Sequence, residues 1–255
     1  MVSIVTPAYN AGSVLAESIR SVAAQTYADW ELIIVDDCST DGSPAVAARF
    51  AETEPRIRYH RNPRNSGAAF SRNQGVALAR GEWIAFLDAD DLMTSDKLAK
   101  QMIFVQENNA QISYTASAFM DADGKRFEYI LPAVKKLTYN ELLKRNLMSC
   151  SSVMAKRELL VKHPFPSRAN THEDYAAWLA IVREVDCAYG LNEPLLIYRL
   201  SANSKSANRL TSARMSYNAY REVGYSPIIS AALMCRYAVW SVRKRKRIYA
   251  SFMVP

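Results

Sequence analysis

Residues 66–91 read Ser66-Gly-Ala-Ala-Phe-Ser-Arg-Asn-Gln-Gly-Val-Ala-Leu-Ala-Arg-Gly-Glu-Trp-Ile-Ala-Phe-Leu-Asp-Ala-Asp-Asp91. The pattern predicts a helix over Ser66–Arg80, with Gly81 as the residue that closes it. It is followed by a strand, Trp83–Leu87, that runs straight into Asp88. Upstream the same alternation repeats: strands at Val2–Thr6, Glu31–Val35 and Ile57–His60, with helices at Ser13–Gln25 and Pro44–Ala51 between them. Ser13 is placed to cap the first of these helices, and Glu17 sits in its early turns. Strand, helix, strand, helix at this spacing means right-handed crossovers and an α/β chain with a mostly parallel sheet.

Downstream of Asp91 the rhythm loosens. A helix is expected over Ser95–Glu107 and a strand over Ile112–Phe119. Asp121-Ala-Asp-Gly124 has hairpin chemistry leading into Arg126–Ile130. Helices are expected over Leu137–Arg145 and Asp174–Val185, extended chain at Ser151–Ala155, and a last strand at Pro194–Arg199. The remainder from about Asn208 reads as mainly helical, with Pro227 near a first turn.

The 255 residues are 49 % apolar and 22 % charged, which suits a soluble core and excludes disorder, collagen and coiled coil as descriptions of the whole chain. Cys38, Cys150, Cys187 and Cys235 are widely spaced with no C-x-x-C pair, so reduced thiols are expected rather than zinc or disulfides. The opening Met-Val-Ser-Ile-Val-Thr-Pro lacks the basic and apolar regions of a secretory signal. The net charge of +7 is uneven: from Lys205 onward ten Lys or Arg face the single acid Glu222, leaving 22 bases and 24 acids elsewhere. A nearly neutral body with a basic tail argues against a nucleic-acid footprint and for a local anionic partner of the tail.

In open parallel sheets, ligands sit beyond the carboxyl ends of the strands. The first strand ends in Pro7-Ala8-Tyr9-Asn10, the second in Asp36-Asp37 and the fourth in Asp88-Ala89-Asp90-Asp91. Five carboxylates on one edge repel one another unless a cation or hydrogen-bond donors join them. A divalent metal that bridges to a diphosphate meets that need. Asp41 reads simply as a turn cap. No G-x-G-x-x-G and no P-loop motif occurs, which removes the main support for hydride transfer or NTP hydrolysis.

Four segments, Val2–Asn10, Ser21–Tyr27 (SVAAQTY), Trp30–Gly42 (WELIIVDDCSTDG) and Asn65–Asp91, together resemble family 2 glycosyltransferases of the GT-A fold. The likeness is dense over residues 2–91 and weakens over 92–170. It returns at His172-Glu173-Asp174-Tyr175 with Trp178, and at Tyr198-Arg199 with Ser204 and Ser206. It is nearest to small non-processive bacterial enzymes of surface-polysaccharide or teichuronic-acid type, since the Q-x-x-R-W signature of processive synthases is missing. The resemblance implies a GT-A domain over 1–207, with a nucleotide-binding half at 1–91 and an acceptor half at 92–207, followed by a helical basic extension at 208–255. It implies metal-dependent, inverting transfer from a nucleotide-sugar, usually a UDP-sugar, to a glycan or lipid-linked saccharide. That work belongs at the cytoplasmic face of a bacterial membrane.

The resemblance also assigns roles. Asp37, with Asp36 beside it, matches the position that binds uracil, and Pro7, Ala8 and Tyr9 match the nucleotide-pocket backbone. Asp88-Ala89-Asp90 matches the D-x-D element. Asp90 or Asp91 is the direct ligand of Mn²⁺ or Mg²⁺, and Asp88 faces sugar or ribose. Arg72 matches a basic residue near the donor, against the reading of an ordinary exposed helix charge. Asp174 fits the general base at a helix start, with Glu173 as competitor; His172 could line the acceptor side, and Trp178 is either an acceptor platform or core. Arg199 and Lys205 are candidates to neutralise the leaving group, against a solvated loop. Two other readings compete: a nucleotidyltransferase, which wants a basic glycine-rich loop that Asn10-Ala-Gly-Ser13 lacks, and an inactive glycan-binding scaffold, which the intact acidic set argues against. The sequence does not decide the oligomeric state.

The tail needs its own reading. Tyr225–Val242 is apolar except for Arg236 and scattered polar groups, and Arg243-Lys-Arg-Lys-Arg247 follows at once. An Arg deep in a bilayer costs about 2.5–3.5 kcal/mol. An interfacial helix on an anionic membrane surface, with Trp240, Tyr237 and Tyr249 as interfacial aromatics, is therefore expected over a span; the competing reading packs the helix on the catalytic domain.

Overall fold

The structure, a computed structural model, describes residues 1–200 and 209–251. Four parallel strands, β1 (Val2–Ala8), β2 (Trp30–Asp36), β3 (Ile57–Arg61) and β4 (Trp83–Phe86), lie in the order β3-β2-β1-β4. In register, Val2 pairs with Trp30 and Ala8 with Asp36, so the carboxyl ends of β1 and β2 finish together. Every residue of β2 is buried, as a strand covered by helices on both faces must be. Alternate residues feed two separate cores. Ile4, Leu32 and Ile34 meet α1 (Leu15–Ala23), α2 (Ser43–Thr53) and α4 (Lys97–Glu107), while Val5, Ile33 and Val35 join the core that includes α3 (Ala68–Leu78) and α7 (Glu173–Val185). Leu15, Ser18, Ile19 and Val22 form the single buried stripe of α1.

Two local expectations change. Helix α1 begins after Val14, and no side chain caps it, so Ser13 does not do so. Helix α3 ends at Leu78 with Ala79 extended, so Gly81 closes no helix. Gly81 is required for close approach instead: a Cβ there would lie 2.7 Å from Ser3 Oγ and 2.8 Å from Met1 O. Gly75 serves the same purpose in α3, where a Cβ would lie 2.3 Å from Val5 Cγ1.

The same sheet continues through the second half. Strand β9 (Val153–Lys156) runs antiparallel between β4 and β6 (Ile112–Met120). Strand β10 (Cys187–Arg199) is parallel to β6, and β5 (Leu92–Met93) pairs antiparallel with β10. The hairpin partner of β6 is β7 (Arg126–Leu131), and β8 (Lys136–Thr138) lies on β10. The last strand is thus longer than its apolar run; its register shifts around Pro194, which has no N–H to give the ladder. The helix expected at 137–145 shrinks to α5 (Tyr139–Leu142), because Leu137 is held in β8 and Thr138 forms a capping box with Glu141. Helix α6 (Arg157–Lys162) follows β9.

The basic C-terminal segment forms α8 (Arg209–Glu222) and α9 (Pro227–Ala250). Pro227 occupies the first turn of α9, and the Ile229 N–H donates to Ser226 Oγ as its cap. Tyr237 of α9 is buried with its ring centroid 5.4 Å from that of Tyr175 in α7, and Ile248 is buried in the same core. The Tyr129 N–H of β7 donates to Ser251 Oγ at 3.1 Å. Among the described residues no helix is long and apolar enough to cross a membrane.

One buried cation in this frame has a measurable consequence. Lys97 is fully buried in α4, and its Nζ donates to Gln101 Oε1 at 2.9 Å. Desolvation pushes the ammonium down to about 7. In the unfolded chain a lysine titrates near 10.4. Between pH 7 and 10 the unfolded state therefore binds more protons than the folded one, and stability rises with pH. Lys97→Met should be more stable than the parent at pH 7 by about 2 kcal/mol, as for other exchanges of buried charge for apolar volume. Denaturant titrations at pH 7, 8, 9 and 10 should show that difference closing towards pH 10.

Candidate active site

The carboxyl ends of β1, β2 and β4 open into a cleft of about 1000 Å³. Pro7 and Ala8 end β1 on its wall, and Tyr9, half-exposed, stands at its lip. Asn10 turns the chain with φ 49°, and its Oδ1 accepts the Thr40 N–H at 2.9 Å. Asp41 accepts from the Gly12 and Ser43 N–H groups, which is the turn-capping role read from the sequence.

The pleat separates the two acids after β2. Asp37 lines the cleft, with its carboxylate accepting the Ser66 and Gly67 N–H groups at 2.9 and 2.6 Å and Asn62 Nδ2 at 2.9 Å. Asp36 does not line the cleft. It is buried, accepts the Ser39 N–H and the Tyr59 hydroxyl, and lies 3.7 Å from Arg61 Nε. Burial and the Asp36 carboxylate push the Tyr59 hydroxyl up to about 12. Asp36 therefore holds the β2–β3 edge rather than a ligand.

The acids after β4 divide in the same way. Asp88, Ala89 and Asp90 line the cleft. Burial and the neighbouring Asp88 charge push the Asp90 carboxyl up to about 6. Asp91 turns inward and is 1 % exposed. Its Oδ1 accepts the Arg199 N–H at 2.9 Å, and its Oδ2 accepts the Ser151 hydroxyl at 2.6 Å. Its expected role as a direct metal ligand is therefore corrected to that of a buried brace for the loop. Ser151, from the short turn before β9, also accepts the Asp88 N–H at 2.9 Å. No motif pointed to this serine.

Arg72 is no exposed helix charge. Its side chain is 7 % exposed; Nη2 reaches Asp88 Oδ1 at 2.7 Å and Nη1 reaches Glu173 Oε1 at 3.0 Å. The guanidinium carbon stands 5.6 Å from the centroid of the Phe165 ring. The cation is held between two carboxylates that lie far apart in sequence.

His172, as the N-cap residue of α7, and Glu173 and Asp174 in its first turn also line the cleft. Glu173 is paired to Arg72, whereas Asp174 accepts the Tyr175 N–H on Oδ1 at 2.7 Å. Among the described residues Oδ2 of Asp174 accepts no hydrogen bond. Burial and the adjacent Glu173 raise the Asp174 carboxyl above its ordinary range. His172 Nε2 lies 3.3 Å from Ser212 Oγ of α8. Trp178 is fully buried, with centroid distances of 5.5 Å to Phe165 and 5.9 Å to Phe86. It fills core and offers no platform to an acceptor, because Phe86 and Phe165 cover its ring and it does not line the cleft.

Arg199 lines the cleft, but its guanidinium is engaged elsewhere. It donates to Asp90 O and Ala122 O and pairs with Glu17 Oε2 at 2.6 Å. These partners hold its guanidinium at the end of β10. Ser204, Lys205 and Ser206 lie outside the described residues. Sequence reasoning also missed Lys244 and Arg245 of α9 as cleft residues; the basic run was the signal, and it was read as facing outward.

Among the described residues no three acidic, imidazole or thiol groups form a ready cation cage. Asp88 and Asp90 provide two adjacent carboxylates on the cleft wall, where burial and the Asp88 charge both disfavour ionised Asp90. That donor set fits a divalent ion that takes its other oxygens from a phosphate ligand and water.

The model of the Glycosyl transferase family 2 family matches residues 3–160. TuaG of Bacillus subtilis, whose name places it in teichuronic acid biosynthesis, is 37 % identical over 96 % of this chain and 97 % of its own length. The Escherichia coli protein WfgD, named as a UDP-Glc:alpha-D-GlcNAc-diphosphoundecaprenol beta-1,3-glucosyltransferase, is 32 % identical over 96 % of this chain and 94 % of its own. Among solved structures, Staphylococcus aureus TarS 1–349 with UDP-GlcNAc superposes with a TM-score of 0.70 at 16 % identity, covering 91 % of this chain and 70 % of that one. The Pyrobaculum calidifontis mannosyltransferase PcManGT, in complex with GDP-Man and Mn²⁺, gives 0.69 at 21 % identity, covering 92 % and 68 %. These structural likenesses show that the sheet and its flanking helices have the arrangement expected of GT-A enzymes. With a family model covering more than half the chain and relatives aligned along nearly all of it, the protein belongs to glycosyl transferase family 2 and is a glycosyltransferase.

Proposed function

We propose that the cleft transfers a sugar, with inversion, from a UDP-sugar to a hydroxyl of a lipid-linked or glycan acceptor in surface-polysaccharide synthesis. One observation carries this reading. A carboxylate with an oxygen uncommitted among the described residues, Asp174, lines the same cleft as Asp37 and the Asp88/Asp90 pair, while its neighbour Glu173 is held by Arg72. In the reaction the acceptor oxygen attacks the anomeric carbon, the bond to the diphosphate oxygen breaks with its electron pair, and the hydroxyl proton passes to Asp174 Oδ2. The raised carboxyl of Asp174 suits it to accept that proton. Glu173 positions Arg72 rather than taking the proton.

Asp37 accepts the imide N–H of uracil in this reading, alongside Pro7, Ala8 and Tyr9 at the nucleotide end. Asp88 and Asp90 would hold Mn²⁺ or Mg²⁺, and such an ion would supply positive charge at the diphosphate. WfgD, by its name, acts with UDP-Glc on a diphosphoundecaprenol-linked saccharide and makes a beta linkage, which supports both the donor class and inversion. PcManGT, crystallised with GDP-Man and Mn²⁺, supports a metal in this fold. An amphiphilic acceptor also suits a cytoplasmic enzyme peripheral to an anionic membrane. Arg243 and Arg247 are exposed on α9 and line neither cavity, and each such residue near an anionic surface contributes about 1 kcal/mol.

Asp174→Asn should leave UDP affinity within about twofold and lower transfer by about 10²–10⁴-fold. A variant with more than a third of the parental rate would move the base role elsewhere, and NMR of the product should show the anomeric configuration reversed from the donor. Asp90→Asn and EDTA should each weaken UDP in calorimetry; affinity untouched by both would remove the metal from this reading. Full-length protein should sediment with vesicles rich in anionic lipid at low salt, not with neutral ones, and high salt should release part of it.

A further inference from the structure

The basic run of α9 does not act as one patch. Ser241, Lys244, Arg245 and Ile248 follow the i, i+3, i+4, i+7 pattern of one helix face, and all four line the catalytic cleft. Arg243 and Arg247 are exposed and line neither cavity, whereas Lys246, also exposed, borders the space between α8 and α9. Lys244 Nζ stands 4.8 Å from the Trp240 ring centroid. The surrounding walls push its ammonium down to about 8, against the pull of the Asp174 carboxylate. The cation therefore lies within electrostatic reach of the proposed base, in the same cleft.

Beside these two cations a second cavity of about 450 Å³ opens between α8 and α9. Its walls include Ala213, Tyr237, Ala238 and Val242, and Arg245 and Tyr249 line both it and the cleft. A largely apolar groove that joins the cleft at Arg245, with Lys244 on the cleft side and Lys246 at the groove's own rim, complements a molecule with an anionic head and a hydrocarbon tail. A neutral oligosaccharide has no use for either feature, and a free nucleotide has no use for the groove.

We propose that the groove between α8 and α9 is the acceptor's lipid-phosphate seat, with an isoprenoid-type diphosphate held by Lys244 and Arg245 and the first segment of its chain laid along Ala238 and Val242. The sugar end of the same molecule then reaches Asp174. This inference rests on the glycosyl-transfer reading given above and names how its acceptor is recognised.

The test uses full-length protein and farnesyl diphosphate as probe, followed by calorimetry or Trp fluorescence. Farnesyl diphosphate should bind, inorganic diphosphate and farnesol should each bind at least about tenfold more weakly, and saturating UDP with Mn²⁺ should not displace it. Lys244→Gln and Arg245→Gln should each weaken it by about tenfold or more, the usual effect of losing a charge-assisted contact. Lys244→Arg, which keeps the charge, should retain binding and guard against a merely unfolded helix. Arg243→Gln with Arg247→Gln should change nothing in this assay. Equal affinity of the Gln variants and parent, displacement by UDP, or binding of inorganic diphosphate as tight as the farnesyl compound would each overturn the seat. Farnesyl diphosphate binding that survives in a protein showing no transferase turnover would leave the seat standing and count against the transfer reading alone. Transfer to soluble saccharides without farnesyl diphosphate binding would do the reverse.

Discussion

The site is organised around the buried guanidinium of Arg72. It joins Asp88, at the end of β4, to Glu173, at the start of α7, with 2.7 and 3.0 Å contacts on two different nitrogens. A buried cation between two carboxylates holds its charge, and removing it would leave two acids facing each other out of water, the costly arrangement for buried ion pairs. The pair also sets distance. Asp174 follows Glu173 directly, so the cation that orients Asp88 also fixes where the Asp174 carboxylate enters the cleft. Burial, followed by the neighbouring acid, raises the carboxyls of Asp90 and Asp174 above their ordinary range.

A second constraint comes from β9. Because it enters antiparallel between β4 and β6, the turn that precedes it, Cys150–Ser152, lies under the acidic loop after β4. The Ser151 hydroxyl accepts from the Asp88 backbone and donates to Asp91, and the Arg199 backbone completes the pairing of Asp91. Loop acids that would otherwise repel one another are divided between two jobs. Asp91 anchors the loop from within, and Asp88 with Asp90 are presented to the cleft.

The C-terminal helices are part of the catalytic body's packing. Tyr237 stacks near Tyr175 and His172, and Ile248 closes the same core. A stretch whose composition suggests an interfacial helix thereby contributes one wall of the cleft. Helical periodicity resolves the conflict between the membrane and packing readings: a run of five cations on a helix cannot face one way, so some turn into the cleft while others remain in solvent.

Local pattern determined the first ninety residues. Apolar runs of strand length alternating with helical stripes dictate a parallel sheet, and the placing of polar residues at its carboxyl edge follows from that topology alone. The start of α7 at His172-Glu173-Asp174 was legible for the same reason. Tertiary structure decided which of those residues face the cleft. Asp36 and Asp91 carry the same chemistry as Asp37 and Asp90, but the pleat and the partners brought by Tyr59, Ser151 and Arg199 turned them inward. Trp178 became core through Phe86 and Phe165, residues from two other elements. Arg72 found its partners 16 and 101 positions away. Periodicity is a property of neighbours a few residues apart, whereas the desolvation and pairing that give a carboxylate its role depend on groups that only the folded chain brings together.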